Sequence, residues 1–171
     1  MELRTDDQSH INLYFVRHGE YVDLTAANGS PDADNPLSDI GIANLRHEAE
    51  TLTAWQLPFD TLLSSPFLRA RQTADILSDV LNIPVLEEVL LTRTEFGVEQ
   101  LGKILAKYPA ARHLLLVGHE PDFSTVVAAI TGGAIQLQRG GVAKVSLISQ
   151  NPWQAELVWL VTPQIWRPRY C

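Results

Sequence analysis

Cysteine is almost missing from this 171-residue chain: there is one, Cys171, at the last position. A single thiol cannot close an internal disulfide, so apolar packing must hold the core. It also fits a reducing compartment, and the expected location is cytoplasmic. Basic residues are in the minority, 13 Lys and Arg against 20 Asp and Glu, for a formal net charge of −7. That balance argues against a general nucleic-acid binder, whose phosphate affinity comes from clustered cations. It leaves open a small anionic ligand, which responds to the local field. No apolar run approaches the roughly 18 residues of a membrane span, so no membrane partner is expected. The first ten residues, MELRTDDQSH, lack the apolar segment of a secretory signal.

What is present suits a folded α/β domain. Hydrophobic residues make up 46% of the chain and charged residues 19%, ordinary for one globular unit of this length. Short apolar runs alternate with amphipathic stretches. Residues 11–16 read as a strand ending in Arg17-His18-Gly19, and residues 20–37 carry loop chemistry. Ser38 reads as the N-cap of a helix running to Trp55, with Ile42, Leu45, Ala49 and Leu52 on its apolar face. Strands are expected at 60–63, 84–86 and 114–117. Helices are expected from Pro66 to about Leu81, over 98–107, and from Asp122 to Ile130. Two β-type stretches, 142–149 and 155–161, close the pattern. The alternation predicts a three-layer sandwich, a mostly parallel sheet with helices on both faces. The expected boundaries are a polar tail over 1–10, one domain over 11–162 and a C-terminal tail over 163–171.

Ligands of open α/β sheets bind at the carboxyl ends of the strands. Three expected strand ends carry unusual residues: Arg17-His18-Gly19-Glu20, the run Ser64-Ser65-Pro66-Phe67-Leu68-Arg69-Ala70-Arg71, and Gly118-His119-Glu120-Pro121. Histidines and arginines would therefore converge on one edge. Guanidinium forks suit the equatorial oxygens of a phosphoryl group, and a neutral imidazole supplies a nucleophilic nitrogen. Nearby arginines would lower the His18 pKa, and a Gly19 carbonyl could fix its tautomer. Gly19 would also let the backbone approach closely, and His119, at the start of a helix, would add free N–H groups to an anion site. Arg69 and Arg71 lie two apart on one helix and cannot share a face, so Arg71 reads as a surface ion-pair residue. Ser64 and Ser65 read as loop and cap residues, since no nucleophile elbow surrounds them. His10, His47 and His113 lack partners at metal-ligand spacing and read as structural or surface groups.

These segments, in this order, resemble the histidine phosphatase superfamily, the phosphoglycerate mutase-like proteins. The length and the run Ser65-Pro66-Phe67-Leu68-Arg69-Ala70 are most similar to its small bacterial phosphohistidine phosphatases of the SixA type. The resemblance implies a sheet with one antiparallel strand, no metal and no organic cofactor. By the same resemblance His18 would be the nucleophile that carries a phosphohistidine intermediate. Arg17, Arg69 and His119 would complete the phosphate pocket. The proton donor to the leaving group falls on Glu120, with Glu95 as alternative; Glu99 lies in the same region as Glu95. A leaving imidazole is more easily protonated than an alkoxide, so a phosphohistidine substrate needs little dedicated acid. The short segments between motifs, with 21–36 as the one rim, favour an open pocket. That suits a phosphohistidine-bearing protein such as a histidine phosphotransfer domain. The alternatives are a phosphatase of small phosphate esters and a phosphate-binding module without turnover. A mutase would require a closed, dry site.

Overall fold

The computed structural model describes residues 10–166, so most of the two expected tails lies outside the described residues. In chain order the elements are β1 (Ile11–Arg17), α1 (Leu24–Asn28), α2 (Asp39–Ala54), β2 (Thr61–Ser64) and α3 (Leu68–Leu81). There follow β3 (Val85–Glu87), α4 (Val98–Lys107), β4 (His113–Gly118), α5 (Asp122–Thr131), β5 (Val142–Gln150), β6 (Trp153–Val161) and α6 (Pro163–Trp166). Single 3-10 turns occupy Asp32–Asp34 and Val89–Leu91.

One six-stranded sheet has the order β3-β2-β4-β1-β5-β6. Strands β3, β2, β4 and β1 pair in parallel, and β5 runs antiparallel to both of its neighbours. Period-two alternation divides the buried strand residues between two cores. Leu13, Phe15, Leu114 and Leu116 face α4 and α5, meeting Leu101, Ile104, Phe123 and Val127. Tyr14, Val16, Leu115 and Val117 face the opposite layer, with Ala49 and Leu52 of α2 and Ala70, Ala74 and Leu77 of α3. Both faces of the central strands are thus covered, which is why β4 reads as a continuous apolar run.

Ser38 caps α2, its hydroxyl accepting from Gly41 N–H at 3.1 Å. A side chain at Gly41 would overlap the Glu20 carbonyl, so its absence lets α2 seat against the segment after β1. Two local expectations need correction. The stretch 20–37 is not simply loop: it contains α1 and the 3-10 turn at Asp32–Asp34. Helix α3 begins at Leu68, with Phe67 as its cap residue, and not at Pro66. Phe67 N–H donates to Ser65 Oγ at 3.3 Å, a local turn that holds Pro66 and Phe67 outside the helix. No helix among the described residues is long and apolar enough to cross a membrane.

Candidate active site

Arg17, Ser64 and Gly118 are the last residues of β1, β2 and β4, three adjacent parallel strands. The segments after them meet at one edge of the sheet. His18 N–H donates to Gly118 O, and Ser65 N–H donates to Val117 O, so each segment is fastened to its neighbour. The turn before β5 fastens the other side: Arg17 N–H donates to Gly141 O, and Gly140 N–H reaches the carbonyls of Arg17 and His18.

His18 is 4% exposed. Arg69 Nε lies 3.2 Å from His18 Nε2. A guanidinium only donates, so Nε2 is the acceptor and the ring proton sits on Nδ1. That proton points at the Gly19 carbonyl, 2.8 Å away. Gly19 N–H donates in turn to Thr73 Oγ1 at 3.1 Å, and Thr73 Oγ1 donates to Arg69 O at 2.7 Å. One threonine of α3 thereby ties the turn that carries His18 to the arginine's own backbone. Gly19 serves packing more than access, because a Cβ there would lie 2.6 Å from Leu45 Cδ1 of α2.

Burial is the main reason the His18 pKa falls well below its usual value; the neighbouring His119, Arg69 and Arg17 lower it further, against the Gly19 hydrogen bond. His119, 1% exposed, is pushed down to about 3, first by burial and then by the Arg69 and Arg93 charges. The two rings are 5.2 Å apart between centroids. His119 Nε2 is 2.8 Å from Ser65 Oγ, so the serine read as a loop residue positions the second histidine. Phe67 packs edge-on against the same ring at 4.9 Å.

His119 does not begin a helix with free N–H groups. Helix α5 starts at Asp122, and two of its early donors are satisfied locally: Phe123 N–H by His119 O, and Ser124 N–H by Glu120 Oε1 at 3.2 Å. Glu120 is half-buried, and burial raises its pKa against the opposing effects of the Ser124 bond and the Arg17 charge. Glu95 is exposed on the loop before α4, and no hydrogen bond or ion pair among the described residues joins its carboxyl to these groups. Glu99 pairs with Lys103 at 2.6 Å on the exposed face of α4.

Arg69 is 1% exposed, whereas Arg71 lies on the surface between Asp75 and Glu87. Arg17 Nη1 donates to Leu137 O at 2.9 Å, and burial lowers its pKa. Among the described residues, Arg17 Nε and His119 Nδ1 are buried with no hydrogen-bond partner. Both atoms can be met by water or by the oxygens of a bound anion.

Sequence reasoning missed four contributors. Tyr21 packs against two guanidinium groups, Arg69 and Arg139, each with Cζ 4.7 Å from its ring centre. Asp32 accepts from Arg69 twice, from Nη1 at its backbone carbonyl and from Nη2 at Oδ2, 3.0 Å. Arg93 reaches the same Oδ2 at 3.2 Å. Only proximity in the fold links these residues to the motifs; no spacing in the chain signals them. Among the described residues no group of three or more His, Cys, Asp or Glu side chains is placed to hold a metal ion.

Comparison with known proteins agrees with this geometry. Residues 13–121 match the family model described as Histidine phosphatase superfamily (branch 1). The chain is 30% identical over 128 residues to the phosphohistidine phosphatase SixA of Escherichia coli (strain K12), covering 72% of this chain and 76% of that one. An uncharacterised protein of Picosynechococcus sp. is 35% identical over 140 residues, covering 77% and 82%. The solved structure of the protein histidine phosphatase SixA complexed with tungstate superposes with a TM-score of 0.77 at 24% identity, covering 92% of this chain and all of that one.

Proposed function

Because the chain belongs to the histidine phosphatase superfamily and is a phosphatase by that membership, we propose that it removes phosphoryl groups from protein histidine, with His18 as the covalent nucleophile. The observation that carries the chemistry is the His18 tautomer. Nδ1–H is held by Gly19 O, and the lone pair on Nε2 faces the Arg69 guanidinium.

In the first half-reaction Nε2 attacks phosphorus in line as the bond to the leaving group breaks. Arg69 Nε–H leaves Nε2 and donates to a phosphoryl oxygen. Arg17 Nε and His119 Nδ1, both without partners among the described residues, take further oxygens. His119 Nε2 lies 2.8 Å from Ser65 Oγ; on this reading the hydroxyl donates to Nε2 and the ring proton on Nδ1 serves the phosphoryl oxygen. In the second half-reaction water attacks phosphorus, the P–N bond to His18 breaks, and inorganic phosphate departs.

Two features support a phosphohistidine substrate. The relative SixA of E. coli is named for that activity, and a departing imidazole asks less of a proton donor than an alkoxide does. A second reading, hydrolysis of small phosphate esters, is favoured by Glu120, a half-buried carboxyl whose raised pKa suits an acid. Glu120→Gln separates them. On the phosphohistidine reading it slows alkyl phosphate hydrolysis at least tenfold and leaves phosphohistidine hydrolysis within about threefold. Equal loss on both substrates would assign Glu120 to a step common to both and remove this distinction.

A further inference from the structure

The loop that the sequence offered as a source of an acid, through Glu95, presents a cation to the pocket. Arg93 is 44% exposed, yet its position is built. Thr94 adopts a left-handed backbone, φ 68°, unusual for a β-branched residue. Its N–H is held at 2.7 Å by the largely buried carboxylate of Asp122. That anchor sets Arg93 over the pocket, where its charge acts on the His119 ring.

Arg93 Nη1 and Arg69 Nη2 converge on a single oxygen, Asp32 Oδ2, at 3.2 and 3.0 Å. Arg69 is also the residue whose Nε touches His18 Nε2. The carboxylate oxygen therefore occupies a donor position on the fork that faces the nucleophile. Two guanidinium groups sharing one anionic oxygen make a site for any oxyanion, and a phosphoryl oxygen offers the same charge and acceptor geometry. Burial would raise the Asp32 pKa, but the Arg69 hydrogen bond and the charges of Arg69 and Arg93 reverse that, so the oxygen stays anionic.

We infer that Arg93 is a substrate-binding residue, the third guanidinium of the phosphoryl site, which exchanges Asp32 Oδ2 for an oxygen of the incoming phosphoryl group. The inference rests on the phosphoryl pocket proposed above and adds its rim. An arginine does not protonate a leaving group at neutral pH, so Arg93 acts on binding and not as the acid.

The test is calorimetric titration of the full chain with inorganic phosphate at fixed ionic strength. Arg93→Met weakens binding at least tenfold, and Arg93→Lys restores part of the loss by supplying charge without the fork. Arg71→Met, which removes a guanidinium from the surface of α3 between Asp75 and Glu87, changes binding by less than threefold. If wild type binds phosphate and Arg93→Met binds within twofold of it, the inference fails and the pocket stands. If Arg71→Met weakens binding as much as Arg93→Met, Arg93 contributes only to the general field and the inference also fails. If wild type does not bind phosphate, the pocket itself is wrong.

Discussion

Arg69 Nε donates to His18 Nε2 across 3.2 Å, and both side chains are almost wholly buried. Burial, with this permanent cation beside Nε2, keeps the His18 ring neutral, and the contact holds the Nε2 lone pair toward the guanidinium. The same contact predicts how the protein responds to acid.

His18 and His119 both have pKa values below that of a free imidazole, His119 at about 3. After correction for substrate ionisation, turnover should therefore show no enzyme group titrating near 6.5 between pH 8 and pH 5. In the unfolded chain both rings take up protons below about 6.5. The stability tied to their neutral state is thus complete above that pH and is lost as pH falls toward the folded values, at about 1.4 kcal/mol per unit per ring. A pH–rate profile measured with denaturation curves checks both statements. An imidazole-like inflection near 6.5 in kcat/KM would contradict them.

Ser65→Ala removes the partner of His119 Nε2 and touches no reacting atom. The loss of one buried hydrogen bond, about 0.5–1.5 kcal/mol, should lower kcat roughly threefold to tenfold. Steady-state kinetics beside a melting curve distinguish this from unfolding. Unchanged kcat would remove Ser65 from the site.

Thr73→Val keeps the shape of the side chain but leaves Gly19 N–H buried without its acceptor. Destabilisation of about 1–3 kcal/mol is expected in urea titration, with a fall in kcat because the turn carrying His18 loosens. Stability equal to wild type would mean that Thr73 does not hold the turn.

Glu48 of α2 is 1% exposed, and its Oε1 has no hydrogen-bond partner among the described residues. Burial raises its pKa well above the usual carboxyl value, so the folded chain holds this proton where the unfolded chain releases it. The contribution is complete below about 4.5 and is lost as pH rises toward the folded value. Glu48→Gln should lack this decline, so its stability relative to wild type improves from pH 5 to pH 8. Parallel urea curves at the two pH values test it, and an unchanged difference would refute the buried proton.

Much of the frame was legible because it depends on local pattern. Leu114 to Val117 announced a strand covered on both faces, and Ser38 with the apolar residues Leu45, Ala49 and Leu52 announced α2. Strand ends then placed Arg17, His18 and His119 at one edge of the sheet. The rim was not legible, since Asp32 meets Arg69 across 37 residues and Arg93 across 61. Such pairs follow from how the sheet brings chain segments together. Ser65 was misread because its cap-like turn with Phe67 is real, while its contact with His119 spans 54 residues. Pro66 misled in another way, because a proline suits a first helical turn but the Ser65 hydroxyl had already captured the next N–H.

The most direct measurement is phosphate release from a phosphohistidine-bearing phosphotransfer protein and from an aryl phosphate, side by side, with His18→Ala as control. Faster release from the protein, lost in His18→Ala, is the predicted result. Release from the aryl phosphate alone, or release from the phosphoprotein that survives in His18→Ala, would contradict the proposed function.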